Sequence, residues 1–355
     1  MKKYLSNILK LLLLVIVGIL IYISGILIIN TIYDYRPETM PLEMAAPHNL
    51  PNMEMKSSFS MISWNIGYAG LGNNSDFFYD GGRMTRPVRE DFDRYWNQIL
   101  ARVQTFDSLG FILLQELDTA SSRSYGINQF SAIEHSLGSH RGSFAKIYDV
   151  KYVPMPLFNP MAKVVSGLAT FSSFACSEVS QVAFPGNYAW PKRIFTPDRC
   201  FIQTVFNLPG EKKLFIINTH NSAFDDGSLR KNQLALLYDY MEKAFLDGHY
   251  VIAGGDWNMN PAGYHNMGFI SGDPAFRLPG VGGVEGPDSN WSVVFDPDYP
   301  TNRELDAPYV PGKTRATIID FYLCSPNINV LEVKTFYDGF RNADHQPVFI
   351  RFCLY

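Results

Sequence analysis

Residues 250–258 read Tyr-Val-Ile-Ala-Gly-Gly-Asp-Trp-Asn, an apolar run that ends in two glycines and a polar pair. A short run of this kind between turn residues is a buried strand. Asp256 and Asn258 then sit where the strand ends. Taken alone, Gly254-Gly255-Asp256 has only the composition of a turn. The same pattern recurs along the chain. Asn65 follows MISW, Glu116 follows ILLQ, His220 follows FIINT, Asp320 follows TII, and Asp344-His345 precede QPVFIRF. In each case an apolar strand delivers a polar group to its edge, where a rigid scaffold can aim it into a cleft.

The remaining runs bounded by turn residues are FSMISWN, FILLQE, GLATFSS, FIQTVFN, KLFIINTH, TIIDFYLC, NVLEVKTF and PVFIRF. Two helices interleave with them. One starts at Val88 and places Phe92, Tyr95, Ile99, Leu100, Val103 and Phe106 at helical spacing. The other starts near Ser228 and repeats Leu229, Leu236, Leu237, Tyr240, Ala244 and Phe245, with Gly248 beyond its end. Many strands and few long helices predict a four-layer α/β sandwich, two packed mixed β-sheets flanked by helices, and not a parallel βαβ barrel.

A different segment precedes this domain. Nineteen uncharged residues, Leu11 to Ile29, form a helix of roughly 28 Å, the thickness of a bilayer's hydrocarbon core. The run is too long for a signal-peptide core, no A-x-A site follows it, and it has no polar face to suit a soluble core helix. The expected organisation is a cytoplasmic N-terminus over 1–10, a transmembrane anchor over 11–33, a Pro-rich tether over 34–57, and one catalytic domain over 58–355. Lys2, Lys3 and Lys10 before the span, with Asp34, Arg36 and Glu38 after it, place the domain outside the cytoplasm.

Composition narrows the function classes. With 355 residues, 46% hydrophobic and 18% charged, the chain has ample apolar surface for a packed core, which excludes a disordered or collagenous protein. The net charge is -4, and three of the lysines lie before residue 34, leaving 27 basic against 34 acidic side chains beyond. That balance disfavours a nucleic-acid coat. Cys176, Cys200, Cys324 and Cys353 have no C-x-x-C spacing, which disfavours a structural zinc site; pairing in an oxidising compartment and buried free thiols both remain open. Arg123 and Arg199 read first as solvated side chains, with substrate phosphate binding as the alternative, and Arg230 as a structural ion-pair partner, with a phosphate contact second.

The ordered set Trp64-Asn65, Leu114 to Glu116, Asn218 to His220, Gly255 to Asn258, Ile319 to Phe321 and Ala343 to Pro347 resembles the endonuclease/exonuclease/phosphatase superfamily. The closing motif commonly begins with Ser, where this chain has Ala343. His220 makes the chain look more like the deoxyribonuclease and neutral sphingomyelinase branches. The resemblance implies a metal-dependent hydrolase of phosphate esters. Glu116, Asn65 and Asp344 would hold Mg²⁺, with Mn²⁺ as an alternative, an expectation that suits oxygen ligands. His345 would be the general base, and Asp320 would fix its tautomer. Asp256 and Asn258 would position water and phosphate, and His220 would stabilise a phosphate oxygen.

The expected activity is hydrolysis of a phosphodiester outside the cytoplasm, on a lipid head group or another small molecule. An extracytoplasmic nuclease with the same site is the alternative, ahead of a phosphomonoesterase or an inactive binding module. The partners expected are the phosphodiester substrate and the membrane, with no obligate protein partner. Specificity is assigned to the loops 67–86 and 174–199, with their aromatic residues Phe77, Phe78, Tyr79, Tyr188 and Trp190.

Overall fold

A computed structural model describes residues 2–43, 50–54, 58–223, 225–264 and 283–355. After helix α1 (Lys2–Ile32) come β1 (Met40–Pro41), β2 (Phe59–Asn65), α2 (Arg89–Gln104), β3 (Phe111–Asp118), α3 (Gln129–Ser136), β4 (Arg141–Val153) and β5 (Ala162–Ser172). The chain continues through β6 (Glu178–Ala183), β7 (Cys200–Asn207), β8 (Lys213–His220), α4 (Ser228–Leu246), β9 (Tyr250–Asp256) and β10 (Ser292–Val294). It closes with β11 (Asn302–Arg303), β12 (Ala316–Thr317), β13 (Asp320–Cys324), β14 (Ile328–Thr335) and β15 (Val348–Leu354).

The described strands build a seven-stranded sheet, ordered β1-β6-β7-β8-β9-β13-β10, and a six-stranded sheet, ordered β14-β15-β2-β3-β5-β4. Both are mixed: β2 runs parallel to β3 and β8 parallel to β9, while their other large-sheet neighbours are antiparallel. Between the sheets lies an apolar core. Phe59, Met61, Phe111 and Ile350 come from one face, and Phe206, Ile216, Ile252 and Tyr322 from the other. Phe111 and Phe206 meet edge-to-face across it, with ring centroids 5.1 Å apart, a contact worth about 0.5–1.5 kcal/mol beyond area burial.

Helices cover the outer faces. Helix α2 buries Phe92, Tyr95, Trp96, Ile99 and Val103 on one stripe, with Glu90 and Asp91 in its first turn and Arg102 in its last. That charge arrangement complements the helix dipole. Helix α4 covers the other sheet through Leu234, Leu237, Met241 and Ala244, and terminates at Gly248, whose φ is +86°. The expected four layers and both expected helices are present. The strand Gly254–Gly255 is not a turn. A Cβ on Gly255 would lie 1.9 Å from the Thr219 carbonyl oxygen at the strand's φ of +149°, so only glycine brings β9 this close to β8.

The segment 34–57 departs from a free tether wherever it is described. Met40 and Pro41 pair with Gln181 and Ser180 at the sheet edge. Gln181 Nε2 donates to the Glu38 carbonyl, Ala183 N–H to Thr39 Oγ1, and Leu42 N–H to the Val179 carbonyl. Met53 is buried in the inter-sheet core. Prolines rule out a helix but permit an edge strand, which explains the difference. All four cysteines are free thiols, and burial pushes Cys200 and Cys324 up to about 12.

Candidate active site

Strand register assembles the site. His220, Asp256 and Asp320 are direct neighbours across β8, β9 and β13, so their side chains leave one face of the sheet in a row. The facing sheet contributes Asn65 from the end of β2 and Glu116 from a bulge in β3. At that bulge Glu116 has a φ of +57°, and Asn258 just beyond β9 has +50°. A left-handed backbone costs a non-glycine residue roughly 1–2 kcal/mol. Here it turns both side chains out of the strand alternation toward the space between the sheets. Asp344 and His345 arrive on the segment before β15, where Trp64 Nε1 donates to the His345 carbonyl at 3.0 Å.

The polar groups interlock. His345 Nδ1 lies 2.8 Å from Asp320 Oδ2, and its Nε2 is 3.7 Å from Asp256 Oδ2 and 3.8 Å from Asp344 Oδ2. Burial opposes charge on His345, but Asp320, Asp256 and Asp344 together hold its proton affinity well above that of an ordinary histidine. His220 Nε2 is 3.3 Å from Asp256 Oδ2 and 3.9 Å from Glu116 Oε1. Its pKa moves well below the ordinary value because of burial, with Arg199 and His345 adding repulsion. Burial, with Asp320 among the neighbouring charges, raises Asp256 to about 6; burial and Glu116 raise Asp344 to about 7.

Asn65 donates from Nδ2 to Asp256 Oδ2 at 2.9 Å and to Glu116 Oε1 at 3.3 Å, while its Oδ1 accepts from Gly67 N–H at 3.0 Å. The side chain thus points its nitrogen, not its oxygen, at the carboxylates. Asn65 is thereby a clamp between the acids of the two sheets. Asn258 is held from three sides: its N–H donates to Asp256 Oδ1, its Nδ2 to the Asn221 carbonyl, and its carbonyl accepts from Arg230 Nη1. Arg230 also pairs with Asp225, as its structural role requires.

The groups that suit a metal ion are also concentrated here. Asp256, Asp320 and His345 bring ligand atoms within 4.8 Å of one another, a different triad from Glu116, Asn65 and Asp344. Asp344 Oδ1 and Asp320 Oδ1 are buried with no hydrogen-bond partner. Carboxylates crowded together with unsatisfied oxygens, and with raised pKa values at Asp256 and Asp344, form a donor set that fits a hard divalent cation.

All of this opens into a cleft of about 550 Å³. Several of its lining residues, Asn302 and Asp80 among them, were not singled out by sequence, and another had a different first reading. Arg199, read as solvated, lies in the wall beside Glu116 and Asp256; burial lowers its pKa and those two acids oppose the change. Asn302 places Nδ2 2.9 Å from His345 Nε2, and no local pattern marks it. Asp80, in the same wall, is pushed to about 7 by burial and by Asp344 and Glu116. Arg123 also lines the cleft, but its guanidinium is bonded to both oxygens of Asp118 and lies 3.6 Å over the Tyr68 ring. Of the loop aromatics, Phe77, Tyr79 and Tyr188 line the cleft, Phe78 packs on Tyr79, and Trp190 is 52% exposed.

No protein-family pattern and no curated protein sequence matches the chain. Solved structures do. An endonuclease/exonuclease/phosphatase protein from Beutenbergia cavernae superposes with a TM-score of 0.55 at 16% identity, covering 84% of this chain and 72% of its own. ANGEL2, described as a 2',3'-cyclic phosphatase and bound to adenosine-2',3'-vanadate, gives 0.54 at 16% identity, covering 89% and 99%. D. rerio TDP2 with a single-stranded DNA product gives 0.51 at 16%, covering 84% and 99%. The chain has the fold of the endonuclease/exonuclease/phosphatase proteins, with a cluster of acids and histidines between its two sheets.

Proposed function

We propose that the protein is a divalent-metal-dependent phosphodiesterase, anchored by α1 and working outside the cytoplasm on a lipid head group. The observation that carries the catalytic part is the His345–Asp320 pair, 2.8 Å apart and buried beside Asp256 and Asp344. Glu116 and Asp344, with Asp256 adjacent, would hold Mg²⁺ or Mn²⁺. Bound there, the ion supplies positive charge to the non-bridging oxygens of the phosphate.

The protein's own groups do the rest. His345 accepts a proton from the attacking water, and Asp320 holds the imidazole orientation and stabilises the imidazolium. Its high proton affinity comes first from Asp320, with Asp256 and Asp344 adding to it, and makes the ring a strong acceptor of that proton. The water oxygen bonds to phosphorus, the ester oxygen leaves with the bonding pair and takes up a proton from solvent, and His345 then releases its proton to solvent. Asp256, braced by Asn65, and Asn258, braced by Asn221 and Arg230, orient the water and phosphate. His220, kept neutral, lies against a non-bridging oxygen, and Arg199 adds fixed charge to the same wall. Preorganised groups of this kind need no rearrangement as charge develops.

The neutral sphingomyelinase-like branch of the superfamily fits the presence of His220, and the lysines before α1 with the acids after it support the orientation. A nuclease with the same residues is the second reading, favoured by the DNA product bound to the TDP2 neighbour. Glu116→Gln in the full chain is the direct test. It should lower hydrolysis of a chromogenic phosphodiester by roughly a hundredfold or more while leaving the circular dichroism spectrum unchanged. Undiminished turnover, or turnover in excess chelator, refutes the metal-dependent mechanism.

A further inference from the structure

The end of α1 is bonded to the catalytic domain. Asn30 Nδ2 donates to the Tyr152 carbonyl at 2.8 Å, and Tyr35 donates from its hydroxyl to the Lys146 carbonyl at 3.0 Å. Lys151 Nζ lies 5.2 Å over the Tyr33 ring between those points. Residue numbers thus fall along the end of the helix as they rise along β4, so the two run side by side in opposite directions. The β4–β5 hairpin closes with Val153 opposite Ala162, and its tip continues past Asn30 toward the apolar turns. Gly25, Ile26 and Leu27 are half-buried there, whereas residues 3–24 are exposed throughout.

The tip is built of residues that water does not favour. Phe158 is 97% exposed, Leu157 65% and Met155 54%. At the helix end, exposed Trp190 donates from Nε1 to Thr31 Oγ1 at 3.2 Å. Apolar residues gathered beside an apolar helix, with an indole at its end, have the composition of the membrane–water interface.

We infer that the hairpin tip at Met155, Leu157 and Phe158, together with Trp190, is a second membrane contact that enters the same bilayer as α1. The occupant of this surface is the lipid interface, because the surface is continuous with the flank of the helix that would cross the membrane. The consequence is orientation. Tyr148 and Thr196 line both the crevice at the end of α1 and the cleft that holds Glu116 and His345. Two points of attachment fix the rotation of the domain and hold the cleft wall next to the head groups, where one flexible tether would not. The inference deepens the lipid-directed function above and rests on α1 being an anchor.

The test uses the full chain in vesicles of phosphatidylcholine with a minor fraction of phosphatidylglycerol, doped with a phospholipid carrying a diazirine on its acyl chain. After irradiation, labelled peptides are mapped by mass spectrometry. Labels are expected on α1 and on residues 154–160. Replacing Leu157 and Phe158 together by Ser should reduce hairpin labelling roughly fivefold or more, with α1 labelling unchanged. Labelled α1 with an unlabelled hairpin overturns the second contact and leaves the anchor standing. An unlabelled α1 overturns the anchor and the inference with it.

Discussion

Arg199 illustrates how a single side chain changes meaning once its surroundings are known. It sits in the cleft wall with two acids for neighbours, so its charge is available to a phosphate. Arg199→Gln should raise KM for a soluble diester and lower kcat/KM by about 10–100-fold, with Arg199→Lys recovering part of the loss. Unchanged steady-state kinetics would remove it from the substrate path. Asp198, one residue earlier, faces the end of α1 rather than the cleft. Burial, with Asp34 as the nearest like charge, raises it to about 7. A raised folded pKa means the native state holds the proton: its contribution is full below the unfolded value near 4 and is lost as pH rises through about 7. Asp198→Asn should therefore raise the Tm by a few degrees at pH 8, measured by thermal melting, and the gain should fade toward pH 4. A gain of equal size at both pH values would assign the effect to something other than this ionisation.

Among the elements, legibility followed burial on both faces. Strands β2, β3, β8 and β9 are apolar runs because core lies on each side, and β9 is buried at all seven positions. The 13-residue strand β4 escaped because its half-buried and exposed positions carry Lys146, Asp149 and Lys151, which dilute the apolar run. Helix α3 is eight residues long, too short for its pattern to show above the background. Strand β1 has only two residues and contains a proline, and nothing in a linear pattern pairs it with β6. The docked segment yields a prediction of its own. Met53→Ala should cost about 2–5 kcal/mol in denaturant unfolding, as for a buried methionine in a packed core. A cost near zero would return residues 50–54 to the status of a loose linker.

At the scale of the whole molecule, α1 and the catalytic domain join without slack. Asp34 pairs with Arg193 at 3.4 Å, and Glu38 through Leu42 are already bonded to the sheet edge. In the proposed anchored state, the spacing between bilayer and cleft would be set by this packing and not by the contour length of the segment 34–57. For a lipid substrate, anchoring raises effective concentration to the order of millimolar. The full chain should outperform residues 34–355 on vesicles while matching them on a soluble chromogenic diester. Equal rates on vesicles, with rapid DNA cleavage, would favour the nuclease. A truncation at residue 34 rather than 58 is the fair comparison, since it retains β1 and Met53.

By itself the sequence determined the sandwich and the apolar helix, and it marked polar groups at strand ends, because each depends on local features: an apolar run of given length, and a polar group at its end. The bond pattern within the cleft was decided by tertiary structure alone. Register across β8, β9 and β13 aligned His220, Asp256 and Asp320, and a bulge aimed Glu116 across the gap. The same holds for Asn65, which turned out to face the acids with its nitrogen, for Asn302 beside His345, and for Arg199 in the wall. Asn65 and Asp256 lie 191 residues apart along the chain. A periodicity read over a dozen residues carries no information at that range; only the packing of one sheet on the other brings such groups within hydrogen-bonding distance.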